Sequence, residues 1–198
     1  MTKSRLEAFS DGVIAIIITI MVLELKIPHE ATLQALSELW PIFLSYLLSF
    51  IFVAIYWGNH HHLLHTVHHV TSGIIWSNMG LLFMLSLIPF TTGWMGENHF
   101  ANTTIAVYSF NLLLAAIAFY ILQKTIMAQV SNHSKLVVAL KKQEAKGFVS
   151  VVLYIIAVVG GLYYPFISGV AIGITTILWL IPDKRIEAAL SEERATHQ

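Results

Sequence analysis

Six imidazoles crowd ten positions of this chain. His60-His61-His62 is followed by His65, His68 and His69. Imidazole at that density binds transition metals or carries protons near neutral pH. The run His65-Thr66-Val67-His68-His69 has the HxxHH spacing that ligates iron in membrane di-iron oxidases. Such a centre needs several boxes on different helices. The other histidines are His29, His99, His133 and His197, scattered along the chain, so no metal or other cofactor is expected. The second reactive pair is Ser10-Asp11, inside the start of a long apolar stretch. A carboxylate at the bilayer centre costs roughly 2.5–3.5 kcal/mol, and less near the interface. Asp11 must therefore face protein or water, as a hydrogen-bonded pin or as one station of a proton relay. Ser10 and Ser49 lack the surroundings of a serine nucleophile. Cysteine is absent, which excludes disulfides, thiol catalysis and thiolate metal sites. An enzyme is not expected.

The elements that must position these groups are membrane helices. The chain has 198 residues, of which 57% are hydrophobic and 11% charged. Soluble domains carry about 25% charged residues. Six segments are apolar enough to be spans, which take roughly 17–25 residues each. They are Glu7–Lys26, Glu38–Trp57, Ser72–Trp94, Asn102–Met127, Gly147–Leu162 and Phe166–Ile181. Tyr163-Tyr164-Pro165 is the turn between the last two, and Gly160-Gly161 is expected to loosen the approach to it. Residues 1–182 form the membrane domain, and Asp183–Gln198 is a charged tail. Cations precede span 1, lie between spans 4 and 5 and follow span 6, with only Lys26 opposite. By the positive-inside rule both termini are cytoplasmic, consistent with six spans. The net charge is zero and no nucleic-acid partner is implied.

On a 100° wheel, Arg5, Phe9, Gly12, Ile16, Leu23 and Ile27 share one stripe of helix 1, flanked by Thr19 and Ile20. Ser10 and Asp11 point elsewhere. One face therefore needs partners inside the protein, and the other is aliphatic with a single hydroxyl. Such a stripe either faces lipid or lines a pore, and the wheel does not decide. In a pore, Ile16, Ile20 and Leu23 would be constrictions that gate by dewetting. The partner of Asp11 is expected among His60, His61 and His62 at the cytoplasmic end of helix 2. Trp76 and Asn78 on helix 3 lie at the same level. Pro89 is expected to kink or end helix 3.

Arg5 followed by Phe9-Ser10-Asp11 is an RxxxFSD pattern, and helix 1 closes on Leu23-Glu24-Leu25-Lys26-Ile27-Pro28. With the His-rich end of helix 2 and Trp76-x-Asn78, the chain resembles the bacterial branch of the endosomal and lysosomal potassium channel family. The resemblance is specific over helices 1 to 3 and only topological beyond. It implies a homotetramer of six-helix subunits in a prokaryotic plasma membrane, with helix 1 of each subunit around a central pore. It implies aliphatic constrictions at Ile16, Ile20 and Leu23 and a pore-facing hydroxyl at Thr19. It also implies a buried network of Arg5, Phe9, Ser10 and Asp11 with His60, His61 or His62 and with Trp76 and Asn78. The expected function is a passive channel modestly selective for potassium over sodium. The rival is a proton-coupled transporter using Asp11 and the helix 2 histidines.

Overall fold

The computed structural model describes residues 1–129 and 135–180, with side chains described for 1–129 and 144–180. The described residues form helices and turns. They are α1 (Lys3–Met21), α2 (Leu33–Ser37), α3 (Trp40–His65), α4 (Ser72–Ser86), α5 (Ile88–Glu97), α6 (Asn102–Met127), α7 (Lys135–Tyr163) and α8 (Pro165–Leu180). A 3-10 turn, Val22–Glu24, extends α1. Five stretches are long and apolar enough to cross a membrane: Lys3–Glu24, Trp40–His65, Ser72–Glu97, Asn102–Met127 and Glu144–Tyr163. The apolar α8 is shorter. The charged tail expected at 183–198 lies outside the described residues.

Local chemistry sets the helix ends. The Thr2 hydroxyl accepts from the Arg5 amide at 3.4 Å and starts α1. Pro41 sits in the first turn of α3, where a missing N–H costs nothing. The second span runs on to His65 rather than stopping at Trp57, because the histidines continue the helix past the apolar run. The fifth begins at Lys135 rather than Gly147. Its first turns, Leu136 to Leu140, are apolar, but Lys141, Lys142, Gln143 and Glu144 separate them from the apolar run that marks the span. The third span is two helices, broken at Leu87 two residues before Pro89.

The core is built around α6, whose Tyr108, Leu112, Ala115 and Leu122 are fully enclosed. This helix packs on α4, α5, α7 and α8, whereas α1 packs on α3, α4 and α5 along one side only. Within the core the Thr92 hydroxyl donates to Ser49 (2.7 Å), which bonds the Tyr108 hydroxyl (2.9 Å).

Gly160 and Gly161 act as contact points rather than as a loose hinge. Only Tyr164 separates α7 from α8, and the second helix returns directly over both glycines. A methyl on Gly160 would lie 2.9 Å from Ile167 Cβ. Gly96 plays the same role between α5 and α3, where a Cβ would stand 2.9 Å from the Ile42 Cα. A backbone atom cannot swing aside as a side chain can. Gly96→Ala is therefore expected to destabilise the fold by roughly 1–3 kcal/mol, read as a lower thermal midpoint in detergent. Gly12→Ala, where a Cβ meets nothing within 4 Å of the same chain, should cause no such loss and should add roughly 0.5–1 kcal/mol of helix stability.

Candidate functional site

Helix α1 divides into two faces. Leu6, Ser10, Ile14, Ile17 and Met21 are buried, at spacings of four and three residues that keep one side of a helix inward. On the opposite side Ile16 is 57% exposed, Ile20 43% and Leu23 76%, with Thr19 among them also exposed. The Thr19 hydroxyl donates to the Ile16 carbonyl at 2.9 Å. Its only proton is thus committed, and its oxygen presents lone pairs, the form a cation can use.

The buried face is pinned by a directional chain of hydrogen bonds. Ser10 donates to the Leu6 carbonyl (2.8 Å), so its oxygen can only accept from Asn78 Nδ2 (2.9 Å). The Asn78 carbonyl must then accept from His60 Nε2 (2.6 Å). This assigns the ring proton of His60 to Nε2 and leaves Nδ1 bare, a buried nitrogen without a hydrogen bond. Three helices, α1, α3 and α4, are joined at this point. The bonded atoms belong to wholly buried residues, where an amide-type hydrogen bond is most costly to lose.

Asp11 is bonded differently from the sequence expectation. Its Oδ1 accepts from Trp57 Nε1 at 2.9 Å, an indole donor in place of the expected imidazole. The reason is register. α1 and α3 are antiparallel, so Asp11, one turn further along α1 than Glu7, meets α3 two turns before His65. The Trp57 and His61 rings lie 5.9 Å apart and those of His61 and His65 4.5 Å apart. His65 Nδ1 faces Glu7 at 3.1 Å, and Lys3 Nζ donates to the His65 carbonyl at 2.7 Å. Thus Glu7 and Asp11 at i, i+4 run beside Trp57, His61 and His65 at i, i+4, i+8. Trp57 is the residue that sequence reasoning missed, because one turn on α1 spans two turns on α3 and the spacing alone does not pair them. His62 stands outside this ladder, its ring edge-on to His61 at 5.9 Å.

Three further members of the expected buried network are not buried within one chain. Arg5 and Phe9 lie on the open face of α1, and Trp76 is exposed. Two positions along a helix are 200° of rotation, so Trp76 must point away when Asn78 points in. Among the described residues, no three His, Asp or Glu side chains converge as metal ligands.

Trp57→Phe keeps the ring contact with His61 and removes the indole donor to Asp11. It is expected to cost about 1 kcal/mol, since the bond is partly solvent-exposed. Thermal melting of the purified protein measures it.

Above this level, α1 and α5 flank an open groove lined by Val13, Ile16, Ile20, Glu24, Phe90 and Trp94. The Glu24 carboxylate lies over bare Gly93, where a Cβ would stand 2.6 Å from Oε2. Lys26 forms an ion pair with Glu97. Its hydrogen bond to Glu97 holds the ammonium above the usual lysine range. The ammonium therefore keeps its charge through neutral pH.

A sequence profile described as Endosomal/lysosomal potassium channel TMEM175 matches residues 5–89. A potassium channel of Chryseobacterium sp. (strain P1-3) is 47% identical over 97% of this chain and 100% of its own. The crystal structure of a lysosomal potassium-selective channel TMEM175 homolog from Chamaesiphon minutus superposes with a TM-score of 0.80. It is 28% identical, with 90% of this chain and 96% of that chain covered. An endosomal/lysosomal proton channel TMEM175 of Gallus gallus is 38% identical, over 44% of this chain and 19% of its length.

Proposed function

This chain belongs to the endosomal/lysosomal potassium channel TMEM175 family, and from that premise we propose that it conducts potassium passively through a pore lined by four copies of α1. Like its family it is an integral membrane cation channel and not an enzyme. The observation that carries the reading is the open aliphatic face of α1, on a helix whose other face is fully packed and hydrogen-bonded. A homotetramer covers that face with its own symmetry mates. Arg5, Phe9 and Trp76 would then be buried between subunits, which gives their exposure in one chain a reason. In this reading α8 is the sixth span, and both termini are cytoplasmic in a prokaryotic plasma membrane. Sixteen residues rise about 24 Å, so α8 would need a locally thinned bilayer.

From Ile16 through Ile20 to Leu23 is seven helical steps, about 10 Å of pore axis. Such a neck is closed when dry, because a hydrated ion finds no replacement ligands there. When the rings separate and wet, potassium passes more easily than sodium because it sheds water at lower cost. Thr19 oxygens, with lone pairs free, replace part of that water. Selectivity is modest, since neither aliphatics nor four hydroxyls match a carbonyl filter. The Ser10–Asn78–His60 pin and the Asp11–Trp57 bond hold the inner half of α1. His61 and His62 act beside them as packing.

The test is potassium, sodium and proton flux into liposomes holding the purified protein. Passive, non-saturating flux that favours potassium supports the reading. Saturating flux that appears only with a proton gradient would replace it with a coupled transporter using Asp11 and the histidines.

A further inference from the structure

The break at Leu87 has a cause that lies on another helix. In an unbroken helix the Met84 carbonyl would accept from the Ile88 amide four residues on. Here that carbonyl accepts instead from Leu87 at 3.3 Å. The side-chain amide of Asn111, buried on α6, occupies the opened step. Oriented so that both its ends find partners, it donates to the Met84 carbonyl at 3.1 Å and accepts from the Ile88 amide at 3.3 Å. Thr91 bonds the same carbonyl oxygen at 3.3 Å. Pro89 removes one further donor from the ladder, the one that would serve Leu85. Pro89 also restricts the backbone of Ile88 before it, but it offers no partner to the Met84 carbonyl or the Ile88 amide, which the Asn111 amide does. A polar side chain inserted into the ladder is a recognised cause of helix breaks.

What the break controls is α5. That helix forms the far wall of the groove along the outer half of α1, with Phe90, Gly93 and Trp94 facing Ile16, Ile20 and Glu24. We propose that Asn111 is a positioning residue for conduction. By holding Met84 and Ile88 apart, its amide sets the course of α5 and so the seat from which α1 presents Ile20 and Leu23. The proposal rests on α1 lining the pore. With the wedge gone, Met84 and Ile88 bond each other, α4 and α5 become one straighter helix, and α1 loses its outer buttress. The aliphatic rings then settle toward the pore axis and stay dry.

The experiment compares cryo-electron microscopy structures and liposome potassium flux of the wild type, Asn111→Leu, Asn111→Ala and Pro89→Ala. The wild type should show the amide between Met84 and Ile88. A direct Met84–Ile88 bond there overturns the proposal without any variant. Both Asn111 variants should close that step, shift α5 relative to α1 and lower flux roughly tenfold, at unchanged oligomer size. Using two side chains separates loss of the amide from the bulk of leucine. Pro89→Ala should keep the step open. If Pro89→Ala closes it and the Asn111 variants do not, the proline is the cause and the proposal fails. Ile20→Asn placed in the Asn111→Leu background should recover flux by wetting the neck. If Ile20→Asn alone leaves flux unchanged, the pore reading has failed. If it raises flux while the Asn111 variants conduct like wild type, only the positioning role has failed.

Discussion

Ile20→Asn is expected to raise potassium flux by roughly tenfold or more, each factor of ten needing only about 1.4 kcal/mol off the barrier. In the proposed tetramer, four amides at one level would give water donors and acceptors where aliphatic carbon offers none. Since Ile20 is on the open face, the substitution leaves the core of each subunit intact. The gain should come with a lower preference for potassium, because a hydrated neck no longer demands dehydration. Ile16→Asn should act in the same direction. The control is Ile17→Asn, one residue away on the buried face at 4% exposure. It places an unpaired amide in the core and should destabilise by several kcal/mol. Flux assays and thermal melts of the three variants together separate a change in the conduction path from damage to the fold. Loss of flux in stably folded Ile20→Asn would count against a hydrophobic neck.

Asn78→Leu is expected to be the most damaging single change to stability among the polar positions. It removes both ends of a bridging amide. His60, 1% exposed, is then left with a buried ring N–H and no acceptor, beside an Nδ1 that already lacks a partner. Ser10 keeps its bond to Leu6 and loses its donor. With about 1–3 kcal/mol per stranded group, the loss should be roughly 2–4 kcal/mol. In a chain of this size that lowers the midpoint by roughly 5–10 °C. Ser10→Ala should cost less, because it strands only one Asn78 N–H. Equal midpoints for wild type and Asn78→Leu would mean the chain is not the pin of α1.

The division of α1 was legible because helical periodicity alone sets Ser10 on one side of the helix and Ile16, Thr19 and Ile20 on the other. Asn78 was legible for a related reason: an amide inside an apolar span must find a partner. The partner of Asp11 was not, because tryptophan near a membrane surface reads as an interfacial anchor and not as a hydrogen-bond donor. Nor was the early start of α7, where Lys141, Lys142 and Lys146 interrupt the apolar signal although the backbone remains helical. Pro89 announced a break, but not its neighbour on α6. Asn111 sits more than twenty positions away from Met84 and Ile88, and no local pattern connects them.

The unequal fastening of α1 makes it a lever. Its N-terminal half is clamped at Ser10 by bonds between buried groups, and its C-terminal end is held by aliphatic packing and the solvent-exposed Lys26–Glu97 pair. Exposed pairs of that kind contribute about 0–1 kcal/mol and weaken with salt. A swing of roughly 5° about Ser10 moves Ile16 by about 0.8 Å but Leu23 by about 1.7 Å, from the rise of a helix alone. In the proposed pore, Leu23 would therefore be the softest part of the neck. Ionic strength on the side that bathes Lys26, by slackening that latch, should shift Leu23 before Ile16 or Ile20 responds.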